Sequence, residues 1–176
     1  VQRAWYGMFT CIYRSNVVLD YIDAVPMSDE KKSQYKAEAR FLRALSYYNL
    51  SQLFGDVPIV DKQLNSEAEV LKYGRRPIAE VYDFIVKDLE FVTQSQLPDN
   101  WGFDGNNPNF GRASKTAGYA LLGKVYLTMA KRLNDGATQD YLQLAKEALE
   151  AAYNVRPFGK LKDIAYGKVF GVANIT

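Results

Sequence analysis

The chain has 176 residues, 48% of them hydrophobic, and a formal net charge of +2. That suffices for one cored domain or part of a larger one, and the charge is too small to argue for nucleic acid or an anionic membrane surface. With no histidine, one cysteine and no apolar run of about 18 residues, the sequence lacks the commonest general base and metal ligand, any internal disulfide and a transmembrane helix.

The first helical pattern runs from about Arg3 to Ala24, with Trp5, Phe9, Ile12, Asn16 and Leu19 on its apolar face. Asn16 is the odd member and reads as a buried amide bonded to backbone groups, because an unpaired buried amide is costly. Cys11 lies mid-pattern and reads as a core residue. Pro26 ends the segment, and Ser28 offers an N-cap for the next helix.

The second helix is expected from Asp29 to Phe54, about 39 Å at about 1.5 Å per residue. Ala37, Phe41, Ala44 and Tyr48 set its apolar stripe, broadened by Leu42, Leu45 and Leu53. Lys32, Lys36, Arg40 and Arg43 are expected along another side, stems on apolar surface and heads in water. Gly55 supplies a residue that tolerates the left-handed C-cap conformation, and Pro58 prevents the helix from resuming. Residues 61–74 read as a polar loop with a short turn at Glu67 to Leu71.

Pro77 is expected at the first position of a third helix, whose period is carried by Ile78, Val81, Tyr82, Ile85, Leu89 and Val92. Asp88 and Glu90 are two residues apart and point in different directions, so they are expected as ordinary solvated or cap-pairing charges and not as a glycosidase pair. Leu97 to Arg112 (LPDNWGFDGNNPNFGR) is rich in Gly, Asn and Pro and reads as a loop. It nevertheless holds Trp101, Phe103 and Phe110. An indole face stacks on a pyranose C–H face while Asn and Asp bond its hydroxyls. Trp101, Phe103, Asp104, Asn106 and Asn107 are therefore the candidate ligand-binding residues, the other reading being that the rings anchor the loop on the helices. An EF-hand does not fit, since Asn109 stands where the Gly belongs and Lys115 where the final Glu belongs.

A fourth helix is expected from about Ser114 to Leu133. Only Lys124 is charged between Thr116 and Met129, so it should be central to the bundle, with Gly118 and Gly123 permitting close approach. Thr138 is expected to cap a fifth helix that reaches about Val155. Tyr119, Leu122, Gly123 and Tyr126, with Ala145, Leu149, Ala152 and Pro157, match the two halves of a tetratricopeptide pattern after an enlarged turn. The fold class is therefore all-α: tetratricopeptide-like helical hairpins in an α-solenoid or bundle. The tail from Gly159 to Thr176 carries Leu161, Ile164, Tyr166, Val169 and Phe170 without a firm period. Trp5 is expected to be buried and Trp101 near the surface.

Glu38-Ala39-Arg40-Phe41-Leu42-Arg43-Ala44, followed by Leu53-Phe54-Gly55-Asp56-Val57-Pro58, closely resembles the signature of SusD/RagB-like proteins. Trp5, Ile12 and Asn16 upstream, and Tyr82, Ile85, Asp88-Leu89-Glu90, Leu97-Pro98, Gly111-Arg112-Ala113 and Lys124-Val125-Tyr126-Leu127 downstream, extend the resemblance over nearly the whole chain. It implies the N-terminal tetratricopeptide-like domain, residues 1–176, of a longer surface-exposed lipoprotein of Bacteroidetes-type outer membranes, anchored by a lipid outside this chain. Such a protein binds a glycan or other nutrient without catalysis or cofactor. It delivers the ligand to a SusC-like TonB-dependent transporter. The alternative is a tetratricopeptide-type protein-interaction scaffold without glycan affinity.

Overall fold

A computed structural model of the chain describes residues 2–102 and 107–159. Helices α1 (Gln2–Tyr21), α2 (Asp29–Phe54), α3 (Glu67–Val70), α4 (Ile78–Gln94), α5 (Lys115–Arg132) and α6 (Thr138–Asn154) follow in order, with a 3-10 turn at Ile22–Ala24 after α1. Apart from the four-residue α3, each helix packs on the one before it: α2 on α1, α4 on α2, α5 on α4 and α6 on α5. This is the nearest-neighbour stacking of a helical-repeat solenoid. The tail pattern from Leu161 to Phe170 lies outside the described residues.

Local chemistry sets the helix ends. Ser28 accepts from the Lys31 N–H, and Ser114 accepts from the Ala117 N–H. Thr138 is the first residue of α6 rather than its cap. The turn before it is held instead by Asp135, whose carboxylate accepts from the Ala137 N–H and the Tyr141 hydroxyl. Those bonds hold the Asp135 carboxyl below its ordinary range, and the bond to Asp135 pushes Tyr141 up to about 12. α2 stops at Gly55, whose φ of 69° favours glycine but whose ψ of -118° lies outside the left-handed helical conformation expected of it. Asp56 then accepts from the Ile78 N–H, so the exit of α2 caps the start of α4, with Pro77 just outside the helix. Val57 bridges Arg76 across the same junction.

The core runs through the stack. Ile12, Ala44, Tyr47, Leu50, Val57, Val81, Tyr82, Ile85, Leu89, Leu122, Val125, Tyr126 and Ala145 form one buried cluster. Trp5 lies half-buried against it, its ring 4.7 Å from Phe9 and 4.9 Å from Phe54. The stripe expected on α2 needs correction. Ala37, Ala44 and Tyr48 are buried, but Leu42 and Leu53 are exposed, while Tyr47, Leu50 and Ser51 are buried. A helix packed between two neighbours buries more than one face, so a single stripe cannot describe it. α5, the expected central helix, lies between α4 and α6 and still exposes Leu127. Both of its glycines mark close approaches: a Cβ on Gly118 would stand 2.7 Å from Val92 Cγ1, and one on Gly123 would stand 2.6 Å from Leu149 Cγ.

Arg43 and Asp88 overturn two further expectations. Neither is a solvated charge: their side chains are 6% and 2% exposed. Arg43 donates from Nε to Asp88 Oδ2 at 2.7 Å and from Nη2 to Oδ1 at 2.8 Å. Its Nη1 donates to Asn16 Oδ1 at 2.7 Å and to the Asp61 carbonyl at 3.2 Å. Asn16, buried as expected, donates to the carbonyls of Val60 and Lys62. Tyr47 accepts from the Val60 N–H and donates to the Val60 carbonyl, and burial raises its hydroxyl. Arg40 lies over the Phe91 ring and reaches Asp88 at 3.4 Å; burial lowers it, and Asp88 offsets part of that. The pairing of residues 43 and 88 is a tertiary contact between α2 and α4, invisible to any spacing rule. It latches α1, α2, the exit segment and α4 together, with Arg43 hydrogen-bonded to both Asp88 and Asn16, while the buried Arg40 Nε beside them has no hydrogen-bond partner among the described residues.

Candidate functional site

The loop after α4 is built by its polar side chains. Ser95 turns the chain by donating to the Val92 carbonyl, and Leu97 is buried. The carbonyls of Pro98 and Asp99 accept from the N–H groups of Lys115 and Thr116, which ties the start of the loop to the start of α5. Asn100 donates to the Val155 carbonyl at 2.8 Å, and Thr116 Oγ1 lies 2.9 Å from the same oxygen. Trp101 is therefore carried on a strap fixed to both α5 and the end of α6.

Trp101 is half-buried. Its Nε1–H donates to the Ala113 carbonyl at 2.8 Å, and its own carbonyl accepts from Asn107 Nδ2 at 2.6 Å. Asn107 Oδ1 accepts from the Asn109 N–H, so both ends of that amide are bonded within the loop. The Arg112 guanidinium carbon sits 5.1 Å from the Trp101 ring centroid and 5.9 Å from that of Tyr35 on α2. Arg112 also donates to Asn109 Oδ1 at 2.8 Å and to Glu38 Oε1 at 2.5 Å. Gly102 and Gly111 take positive φ, 81° and 88°, where the loop turns at either side. Trp101 and Asn107 are thus brought together, while Phe103, Asp104 and Asn106 lie outside the described residues.

Sequence reasoning missed Arg112 as a neighbour of Trp101, and Tyr35 and Glu38 as partners of Arg112, since these two lie more than sixty residues before Trp101 on α2. It also passed over a polar cleft of about 540 Å³ between the segment leaving α2 and the outer side of α4. Tyr73 and Phe84 line this cleft together with Asp61, Lys72, Asp83 and Lys87, and the Arg76–Glu80 ion pair closes one side. An aromatic ring beside carboxylates and ammonium groups is chemistry suited to a polyhydroxylated ligand. Tyr73 alone in the 61–74 loop was the available signal.

Residues 1–127 match the family model for SusD-like proteins, described as starch-binding and associating with the outer membrane. The chain is 32% identical over 130 residues to SusD-like protein P2 of Formosa agariphila, which covers 73% of this chain and 24% of that protein. It superposes on a SusD homolog from Bacteroides thetaiotaomicron with a TM-score of 0.77 at 29% identity, over 92% of this chain and 31% of that one. A laminarin-binding SusD-like protein superposes with a TM-score of 0.71 at 30% identity, over 85% of this chain and 29% of that one. The chain therefore spans under a third of the length of each of these relatives.

Proposed function

The chain belongs to the SusD-like family, and from that premise we propose that it is the N-terminal helical domain of a non-enzymatic lipoprotein that binds a glycan or related nutrient on the outer membrane. In this reading the whole protein passes its ligand to a SusC-type TonB-dependent transporter, and residues 1–176 supply the scaffold and part of the ligand surface. The observation that carries the proposal is family membership joined to likeness with a protein named for binding laminarin. The ligand contacts proposed within this chain are Trp101 and Asn107, with Phe103, Asp104 and Asn106 from the same loop. Trp101 supplies a flat apolar face on a firmly strapped segment, the platform that sugar C–H groups stack on.

The test is a titration of tryptophan emission with laminarin, starch and xyloglucan. A saturable change that Trp101→Ala abolishes, with the helical circular dichroism unchanged, supports the loop as the contact. The Tyr73 cleft favours a second placement of the same ligand: loss of binding in Tyr73→Ala with Trp101→Ala unaffected would move the site there. Salt-sensitive binding to a peptide, with no response to any of the sugars, would favour the interaction-scaffold alternative.

A further inference from the structure

Arg112 has more contacts than a loop residue needs for its own turn. Its guanidinium lies within 6 Å of two aromatic rings that belong to different elements, Trp101 on the loop and Tyr35 on α2. Its two terminal nitrogens are divided between the same two elements: Nη1 holds Asn109 of the loop, and Nη2 holds Glu38 of α2. The side chains of Arg112 and Glu38 are 35% and 20% exposed, so the ion pair sits at the rim and keeps one side toward water. Tyr35 is 40% exposed, the one ring of α2 that is exposed. It also lines a mostly apolar groove of about 540 Å³ between α1 and α2, together with Glu38, Arg14, Val18, Ile22 and Leu42. A planar fork that stacks on a ring while bonding two acceptors is a property of arginine that lysine does not share.

We propose that Arg112 is the positioning residue of the Trp101 loop: by pairing Glu38 beside the Trp101 and Tyr35 rings it holds both rings on one surface, and Tyr35 is thereby a second aromatic contact for the glycan. The proposal rests on the glycan-binding reading above for its ligand, but not for its geometry. The surface runs from Trp101 over the guanidinium to Tyr35, beyond which the α1–α2 groove is mostly apolar, with Val18, Ile22, Ala39 and Leu42 in its wall. Two rings with a guanidinium and a carboxylate beside them fit more than one sugar residue better than a single monosaccharide.

The test uses the chain with Trp5→Phe, which leaves Trp101 as the only indole and keeps an aromatic ring against Phe9 and Phe54. Acrylamide quenching of Trp101 is compared in the parent, Arg112→Lys and Glu38→Gln. The latter removes the partner carboxylate without touching the loop. Quenching is expected to rise by roughly twofold in Arg112→Lys, which loses the stacked, forked geometry, and in the same direction but less in Glu38→Gln, whose amide oxygen still accepts but without the charge. Laminarin titration of the same proteins is expected to weaken by about tenfold in Arg112→Lys, equivalent to about 1.4 kcal/mol. Tyr35→Ala is expected to weaken it comparably while Tyr35→Phe, which keeps the ring, preserves it.

Unchanged quenching in both Arg112→Lys and Glu38→Gln overturns the positioning role, whatever the protein binds. Raised quenching with laminarin affinity intact, in a protein where Trp101→Ala abolishes that affinity, overturns the functional half. If the parent responds to no glycan, the glycan reading and the role of Tyr35 as a ligand contact fail together. The quenching comparison then still decides whether Arg112 positions Trp101.

Discussion

Arg43 shows why a charge can be more committed to the interior than a leucine on the same helix. Its guanidinium satisfies Asp88 twice, Asn16 once and the Asp61 carbonyl once. Removing one side of such a pair leaves the other buried without compensation. Arg43→Ala and Asp88→Ala are each expected to lose about 3–5 kcal/mol in urea unfolding. Arg40→Ala, whose partner contact is long and whose side chain is one-third exposed, should lose about 1 kcal/mol or less. A second residue-scale expectation concerns acid. Asp135 is held below its ordinary range by the Tyr141 hydroxyl and the Ala137 N–H. Its contribution is therefore present above the unfolded carboxyl value and lost as pH falls through the lowered folded one. Carboxyl-detected NMR titration should place Asp135 below the unpaired aspartates, and Tyr141→Phe should move it back toward them.

Among the helices, the glycines of α5 matter more than its apolar content. Alanine ordinarily gains about 0.8–1.0 kcal/mol over glycine in a helix interior. Here Gly118→Ala drives a methyl into Val92 of α4, and Gly123→Ala drives one into Leu149 while standing 3.3 Å from the Ala145 carbonyl. Both should destabilise, by about 1–3 kcal/mol, because overpacking outweighs propensity. Gly7→Ala in α1 meets no atom within 4 Å and should stabilise. Thermal unfolding of the three variants checks the signs. These close approaches were legible in advance because a glycine inside an apolar helix has few other reasons to be there. The buried face of α2 was less so. Its period is blurred by contacts on two sides, and its alternation of Ala, Arg, Ser and Tyr hides a core position at Arg43. Leu42 and Leu53, by contrast, look like core and are exposed.

At the scale of the whole molecule, a stack in which each long helix packs on its predecessor does not open uniformly. α3 has no buried residue, whereas α2 and α4 are covered on both sides. Hydrogen exchange is expected to release α3 first, α6 next and the amides around Tyr47, Ile85 and Leu89 last. The helical class and order were legible because hairpins of small and aromatic residues repeat, and because caps such as Ser28 and stops such as Gly55 are local chemistry. The surroundings of Trp101 were only half legible. A loop sequence announces its aromatic ring, but Arg112, Glu38 and Tyr35 meet beside it through the register of α2 against the loop, which no local pattern encodes.

The latch between α2 and α4 also has a consequence in time. During synthesis Arg43 leaves the ribosome 45 residues before Asp88, the carboxylate that makes its burial tolerable. Until α4 emerges, α1 and α2 can collapse only by burying a cation without its counter-charge or by leaving it wet. The earliest stretch able to close is therefore α1 through α4, with α5 and α6 added afterwards onto a finished base.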